Sequence, residues 1–226
     1  MQRVSTGIKG LDNMLKGGLI KGRPYLVMGG PGAGKTIMGF QFLMEGLKAN
    51  ESALYITLDE PYNELRENMA LFGWDAKKVR ILDLSPESRE GADTTALSYL
   101  FDELDRELKG QKHVRVVLDS LTTLQMLEEK PVAARRRVLS LMKMLNEAGC
   151  TSMFISEAVD EGISMESFLA RGVLRIHTSK KTGEKLRAIS IDKFRGTSYD
   201  EHIRPMHITE KGIHVDEDEV VIDHFE

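Results

Sequence analysis

Short apolar runs alternate with longer amphipathic stretches up to about residue 168. Residues 24–28 (Pro-Tyr-Leu-Val-Met) form a continuous apolar run of the kind a strand buried on both faces requires, and residues 36–49 follow as a helix. The alternation repeats downstream. Strands are predicted at 53–58, 79–84, 114–118 and 152–155. Helices are predicted at 61–72, where Pro61 suits the first turn, from a cap at Asp93 to Lys109, and from Pro131 to Glu147. Strands separated by helices of this length imply right-handed crossovers and a parallel sheet covered on both faces. After residue 168 the period changes. Residues 172–178 and 185–193 alternate like strands around a hairpin-like turn at Lys181-Thr182-Gly183-Glu184, and 203–209 and 212–215 add two more. The expectation is an α/β fold: a mostly parallel central sheet flanked by helices, with a C-terminal antiparallel extension, in one domain over residues 1–226.

Composition narrows this picture without redirecting it. The 226 residues are 41% hydrophobic and 29% charged, as in ordinary globular chains. A formal net charge of −4 gives no general attraction to nucleic acid or an anionic membrane. No apolar run reaches the length of a membrane span, and the first residues lack the apolar core of a signal peptide. Cys150 is the single cysteine, which excludes an intrachain disulfide; its apolar setting suits a small buried hydrophobe, and the cytosol is the expected compartment. The segment Asp216-Glu217-Asp218-Glu219 is acidic and expected to be solvated.

The chemistry is concentrated in Gly29-Gly30-Pro31-Gly32-Ala33-Gly34-Lys35-Thr36, which fits G-x-x-x-x-G-K-[ST] at every position. Glycines let such a loop curl until backbone N–H groups converge on phosphate oxygens, and the helix that follows adds its positive end. Lys35 can reach β- and γ-phosphates, and the Thr36 hydroxyl can ligate Mg²⁺. The position between a predicted strand and a predicted helix is the one this cradle needs. A second element is Asp119, ending the strand Val114-Arg115-Val116-Val117-Leu118, where a carboxylate can hold the water shell of Mg²⁺ or cap the next helix. A third is Asp59-Glu60, directly after a strand. The two carboxylates could polarise and position an attacking water, or serve the N-terminus of the Pro61 helix; spacing alone does not decide.

Together these residues resemble the RecA-like P-loop NTPases and, within them, the KaiC family, with a more distant likeness to archaeal RadA. The resemblance spans nearly the whole chain. It starts at Ser5-Thr6-Gly7-Ile8, with Gly10-Leu11-Asp12, Leu15 and Gly17-Gly18-Leu19, continues through Thr57-Leu58-Asp59-Glu60-Pro61, and ends at Lys193-Phe194-Arg195-Gly196-Thr197. It implies an ATPase, with ATP or ADP and Mg²⁺ as cofactors, Glu60 as general base and Asp59 assisting in place of the usual glutamate. It also implies that Lys193 and Arg195 reach the nucleotide of a neighbouring subunit in a homo-oligomeric ring, expected to be a hexamer. Residues two apart on a strand share a face, so both cations could aim at one target; without the resemblance, they would read as exposed bases on an edge strand. Clock members of the family carry tandem domains and a phosphorylated Ser-Thr pair. Here that pair falls at Ser167-Phe168, which lacks the threonine.

The recombinase alternative requires cationic or aromatic loops for single-stranded nucleic acid. The loop 121–131 carries Glu128 and Glu129 against Lys130, and 157–168 carries Glu157, Asp160, Glu161 and Glu166 with no basic residue, which argues against it. Arg135-Arg136-Arg137 would point about 100° apart on a helix and suit a subunit contact or solvated stem. His202 and His207 face opposite ways on a strand and suggest no metal site, and Trp74 suits packing. A non-hydrolysing nucleotide sensor is a further alternative; the protein partner is not legible.

Overall fold

The computed structural model describes residues 1–89, 96–110, 114–128, 130–157, 165–181 and 184–221. The predicted cap Asp93, the acidic residues Glu129, Asp160 and Glu161, and the turn residues Thr182 and Gly183 lie outside the described residues. In chain order the elements are β1 (Arg3–Val4), α1 (Lys9–Met14), β2 (Leu19–Ile20), β3 (Pro24–Gly29), α2 (Lys35–Lys48), β4 (Ala53–Thr57), α3 (Tyr62–Ala70) and β5 (Arg80–Asp83). Then follow α4 (Ala96–Gly110), β6 (Arg115–Asp119), α5 (Leu121–Met126), α6 (Pro131–Glu147), β7 (Thr151–Glu157), α7 (Met165–Leu169), β8 (Gly172–Lys181), β9 (Glu184–Phe194), β10 (Arg204–Thr209) and β11 (Gly212–Val215).

Among the described residues the main sheet has nine strands in the order β11-β10-β9-β8-β3-β7-β6-β4-β5. The run from β8 to β5 is parallel throughout; β9, β10 and β11 extend it antiparallel. β3 shows why its apolar run had to be continuous. Tyr25 and Val27 enter one core with Phe40 and Leu43 of α2, while Leu26 and Met28 enter a second core with Leu141 and Leu145 of α6. Alternate residues of one strand thus feed two layers, each fully buried side chain contributing about 1.5–3 kcal/mol.

Parallel register brings the carboxyl ends of four strands level. Val27 stands opposite Ile155, Ile155 opposite Asp119, and Asp119 opposite Thr57. Three candidate elements, after β3, β6 and β4, therefore open on one edge of the sheet.

Two expectations change. β9 lies between β8 and β10 and is not an edge strand, although β10 pairs with it only at Ala188 and Ile189, short of Lys193. The stretches expected as loops contain short helices, α5 and α7.

A buried cation ties the N-terminal segment to the sheet. Arg115, 2% exposed, donates to Glu51 Oε2 at 2.6 Å and to the carbonyls of Ser5 at 2.6 Å and Phe42 at 2.9 Å, and it lies 4.7 Å from the Phe42 ring centroid. A Cβ added at Gly46 would run into the Arg115 side chain, which explains the glycine in the last turn of α2. Arg115→Met leaves Glu51 and two carbonyls without their donor and is expected to cost about 3 kcal/mol, read as a lowered urea midpoint at unchanged slope.

Candidate nucleotide site

The cradle is a backbone structure before it is a set of side chains. Gly32 (φ 66°) and Gly34 (φ 107°) occupy the left-handed region, which an L residue reaches only with strain. Space is also short at Gly34, where a Cβ would stand 2.9 Å from Ile208 Cδ1. Gly34 is the N-cap of α2 and offers no side chain to its open N–H groups, which stay available to an anion. Lys35 is buried, and its ammonium donates to the carbonyls of Gly29 at 2.9 Å and Gly30 at 3.0 Å. Burial lowers its pKa, opposed by the charges of Glu157, Asp119 and Asp59. Pro31 and Ala33 complete the loop, and Ala33 is buried beneath it.

At the mouth of the cradle one carboxylate oxygen collects two hydroxyls. Asp119 Oδ2 accepts from Thr36 Oγ1 at 2.8 Å and from Tyr55 OH at 2.6 Å. Burial raises the Asp119 carboxyl, and the two hydroxyl donors oppose it without overcoming it. Burial, then the charge of Asp119, raises Tyr55 well above the ordinary tyrosine value, so the phenol keeps its proton and donates. Asp119 is not the cap of the helix that follows. Ser120 takes that place, accepting from the Thr123 amide at 3.2 Å.

Asp59 and Glu60 do not cap α3 either. The Tyr62 amide in its first turn donates to Asp83 Oδ2 at 2.8 Å, from the end of β5. Burial alone would raise the Asp83 carboxyl, but the Ser85 hydroxyl, the amides of Tyr62 and Ser85 and the Ser88 hydroxyl outweigh it and hold it below the usual range. Asp59 Oδ1 instead accepts from Thr123 Oγ1 on α5, and Glu60 Oε2 from Asn68 Nδ2 at 3.4 Å. Burial raises the Glu60 carboxyl, with Asp119 adding to the rise and Asn68 opposing it.

Two cations on the cradle were not predicted. Lys185 Nζ donates to the carbonyl of Gly32 at 2.9 Å, and Arg187 Nη2 donates to the same oxygen at 3.3 Å. They repeat, at the start of β9, the two-residue spacing of Lys193 and Arg195 at its end; that repetition was the available signal. Glu157, opposite Gly29 on β7, brings its charge to Lys35, and Tyr55 is the other contributor missed.

The family model for the ATPase KaiC matches residues 4–220. The chain belongs to the KaiC family of ATPases.

Its fold is accordingly that of a RecA-like P-loop ATPase. The chain is 35% identical to a UPF0273 protein of Pyrococcus horikoshii, across 97% of this chain and 96% of that protein. It is 33% identical to a UPF0273 protein of Thermotoga maritima, across 94% and 95% respectively. The circadian clock oscillator protein KaiC of Parasynechococcus marenigrum is 30% identical over 88% of this chain, a match that spans 42% of that longer protein.

For this KaiC-family chain, Lys193 and Arg195 lie apart from the cradle. Lys193 pairs with Val173, at the start of β8, whereas Gly29 pairs with Ile176 further along it. Both cations converge on one acceptor, the carbonyl of Phe168: Lys193 Nζ at 3.3 Å and Arg195 Nη2 at 3.2 Å, with Lys193 also donating to the Ser167 carbonyl. Phe168 is 57% exposed. Arg137 pairs with Glu128 and lies over Phe101, so the arginine run is partly engaged within the chain. Trp74 stacks on Phe72 with centroids 5.0 Å apart, and Cys150 is buried with its thiol raised to about 11. Among the described residues no helix is long and apolar enough to cross a membrane.

Proposed function

We propose that the protein is a Mg²⁺-dependent ATPase that works as a homo-oligomeric ring in the cytosol and couples nucleotide turnover to a protein partner. The observation that carries this reading is the Thr36–Asp119 contact at the lip of the glycine cradle. A hydroxyl and a carboxylate are hard oxygen donors of the type Mg²⁺ prefers, and two protein donors suit an ion that keeps its remaining positions for water and phosphates. Thr36 and Asp119 would hold the ion, which would supply positive charge against the phosphates.

The chain's own residues supply the rest. The N–H groups of Gly30, Gly32, Gly34, Lys35 and Thr36 and the Lys35 ammonium grip the polyphosphate, and Lys35 must exchange its carbonyl partners for phosphate oxygens to do so. Lys185 and Arg187 brace the outer carbonyl of the loop. Asp119 orients Thr36 while Tyr55 fixes Asp119. Glu60 accepts a proton from the attacking water, and Asp59, tied to Thr123, holds the segment that carries it. Lys193 and Arg195 act on the nucleotide of the next subunit, which is supported by their distance from their own cradle.

Two measurements test this reading together: phosphate release, and sizing with and without Mg-ATP. Arg195→Ala is expected to keep nucleotide affinity while phosphate release falls by at least about 10²-fold. Mixing Arg195→Ala with Glu60→Gln should restore part of the activity, because an intact base and an intact arginine then meet at some interfaces. A monomer with undiminished turnover would defeat the shared site and leave the cradle untouched.

A further inference from the structure

The end of the sheet opposite the cradle holds a cleft of about 450 Å³ between α6 and the starts of β3 and β8. Arg23, Lys143, Arg171 and Arg195 line it, and no carboxylate does among the described residues. These cations are weakly matched. Arg23 reaches only the Asn146 amide oxygen, at 3.4 Å, and Lys143 lies 3.7 Å from Glu147 with both side chains largely exposed. Arg171 is the unusual member. Its guanidinium packs against Gly196, and its Nε is buried without a hydrogen-bond partner. Leaving a buried donor unpaired costs on the order of 1–3 kcal/mol, so packing and not a protein acceptor holds this side chain in the cleft wall. The remaining wall is apolar, formed by Leu139, Met142 and Leu169.

We propose that this cleft binds a phosphate-class oxyanion, with Arg171 as its anchor and Arg23 as the second donor. Guanidinium forks match the paired oxygens of a phosphate, and that geometry favours it over a simple halide counter-ion. The apolar wall fits the body of a phosphate ester, so the ester is the ligand form the cleft suits best. Pro24 to Gly29 separate the cleft from the cradle by about 16 Å of strand, so this is a second site and not the near side of the first. It does not depend on hydrolysis at the cradle. Arg195 belongs to both the cleft and the proposed contact with a neighbouring subunit, so an occupant would compete for that side chain.

The test uses the full chain carrying Lys35→Ala, which removes the cradle's grip, and calorimetry with phenyl phosphate, inorganic phosphate and phenol. Phenyl phosphate is expected to bind and phenol not to. Arg171→Leu should weaken phenyl phosphate at least about tenfold, equivalent to about 1.4 kcal/mol. Arg23→Gln should act in the same direction and guards against a misfolded Arg171 variant, with near-UV circular dichroism as the check on folding. Phenyl phosphate binding more tightly than inorganic phosphate identifies an ester as the ligand, and equal binding identifies the free ion; both support the site. The proposal is overturned if phenyl phosphate gives no heat up to about 10 mM, or if neither arginine variant binds it more weakly than the Lys35→Ala parent. A single-stranded oligonucleotide that displaces phenyl phosphate from an arginine-dependent site at lower concentration would overturn it too.

Discussion

Lys35→Ala is expected to remove Mg-ATP and Mg-ADP binding from the range calorimetry detects while the protein stays folded. The ammonium is the one side-chain cation buried within the cradle, held 2.9 and 3.0 Å from the Gly29 and Gly30 carbonyls. Each charge-assisted hydrogen bond to phosphate contributes about 1.5–3 kcal/mol. Two such bonds lost together weaken binding by about 10²–10⁴-fold, since 1.4 kcal/mol is a factor of ten. The fold has reason to tolerate the change. Burial lowers the Lys35 pKa, so keeping this group charged inside the protein works against stability, and alanine removes that demand. Unchanged affinity in a folded Lys35→Ala protein would mean that the loop amides alone hold the nucleotide, and the role assigned to Lys35 would fall.

The cradle was legible in the sequence because it is local. Glycines at left-handed positions, a lysine and a hydroxyl at fixed offsets are all set within eight consecutive residues, and β3 and α2 follow from periodicity on either side. Asp119 was legible one step further out, because a buried strand can end on a carboxylate for few reasons. Which reason applies needed coordinates: the cap is Ser120, and α3 takes its cap from Asp83, 21 residues further along the chain and beyond any local pattern. The helices α5 and α7 were missed because they are six and five residues long, too short to display a helical period.

The cations of β9 were only half legible, and the reason is register. Leu174 pairs with Ile191, but Val173 pairs with Lys193, so Asp192 is the extra residue of a β-bulge. A one-residue shift sends every following side chain to the other face. Lys185 and Arg187 therefore lie on the face that meets the cradle, while Lys193 shares the face of Val173, away from it. A continuous two-residue period would have put all of them on one side. The bulge divides one strand between a contact with its own cradle and a contact available to something else.

Glu60→Gln is expected to leave Mg-ATP binding near wild type and to lower phosphate release by about 10²–10⁴-fold, the usual contribution of a general base. The pH dependence gives the sharper result. Glu60 must be ionised to accept a proton, and its carboxyl is raised above the ordinary value of 4.5 by burial first and then by Asp119, with Glu64 and Asp59 adding to it. Activity should therefore climb with rising pH along a limb displaced above 4.5, and that limb should vanish in Glu60→Gln. Asn68 supplies an independent handle. Its amide donates to Glu60 Oε2 and favours the charged form, so Asn68→Leu should move the limb to still higher pH without abolishing the maximum rate. A purely structural Asn68 would change stability and leave the limb in place. Equal phosphate release by wild type and Glu60→Gln across the whole profile would take the base away from Glu60. Asp59 would then be the remaining carboxylate of the pair, and its bond to Thr123 would be what the chemistry must break.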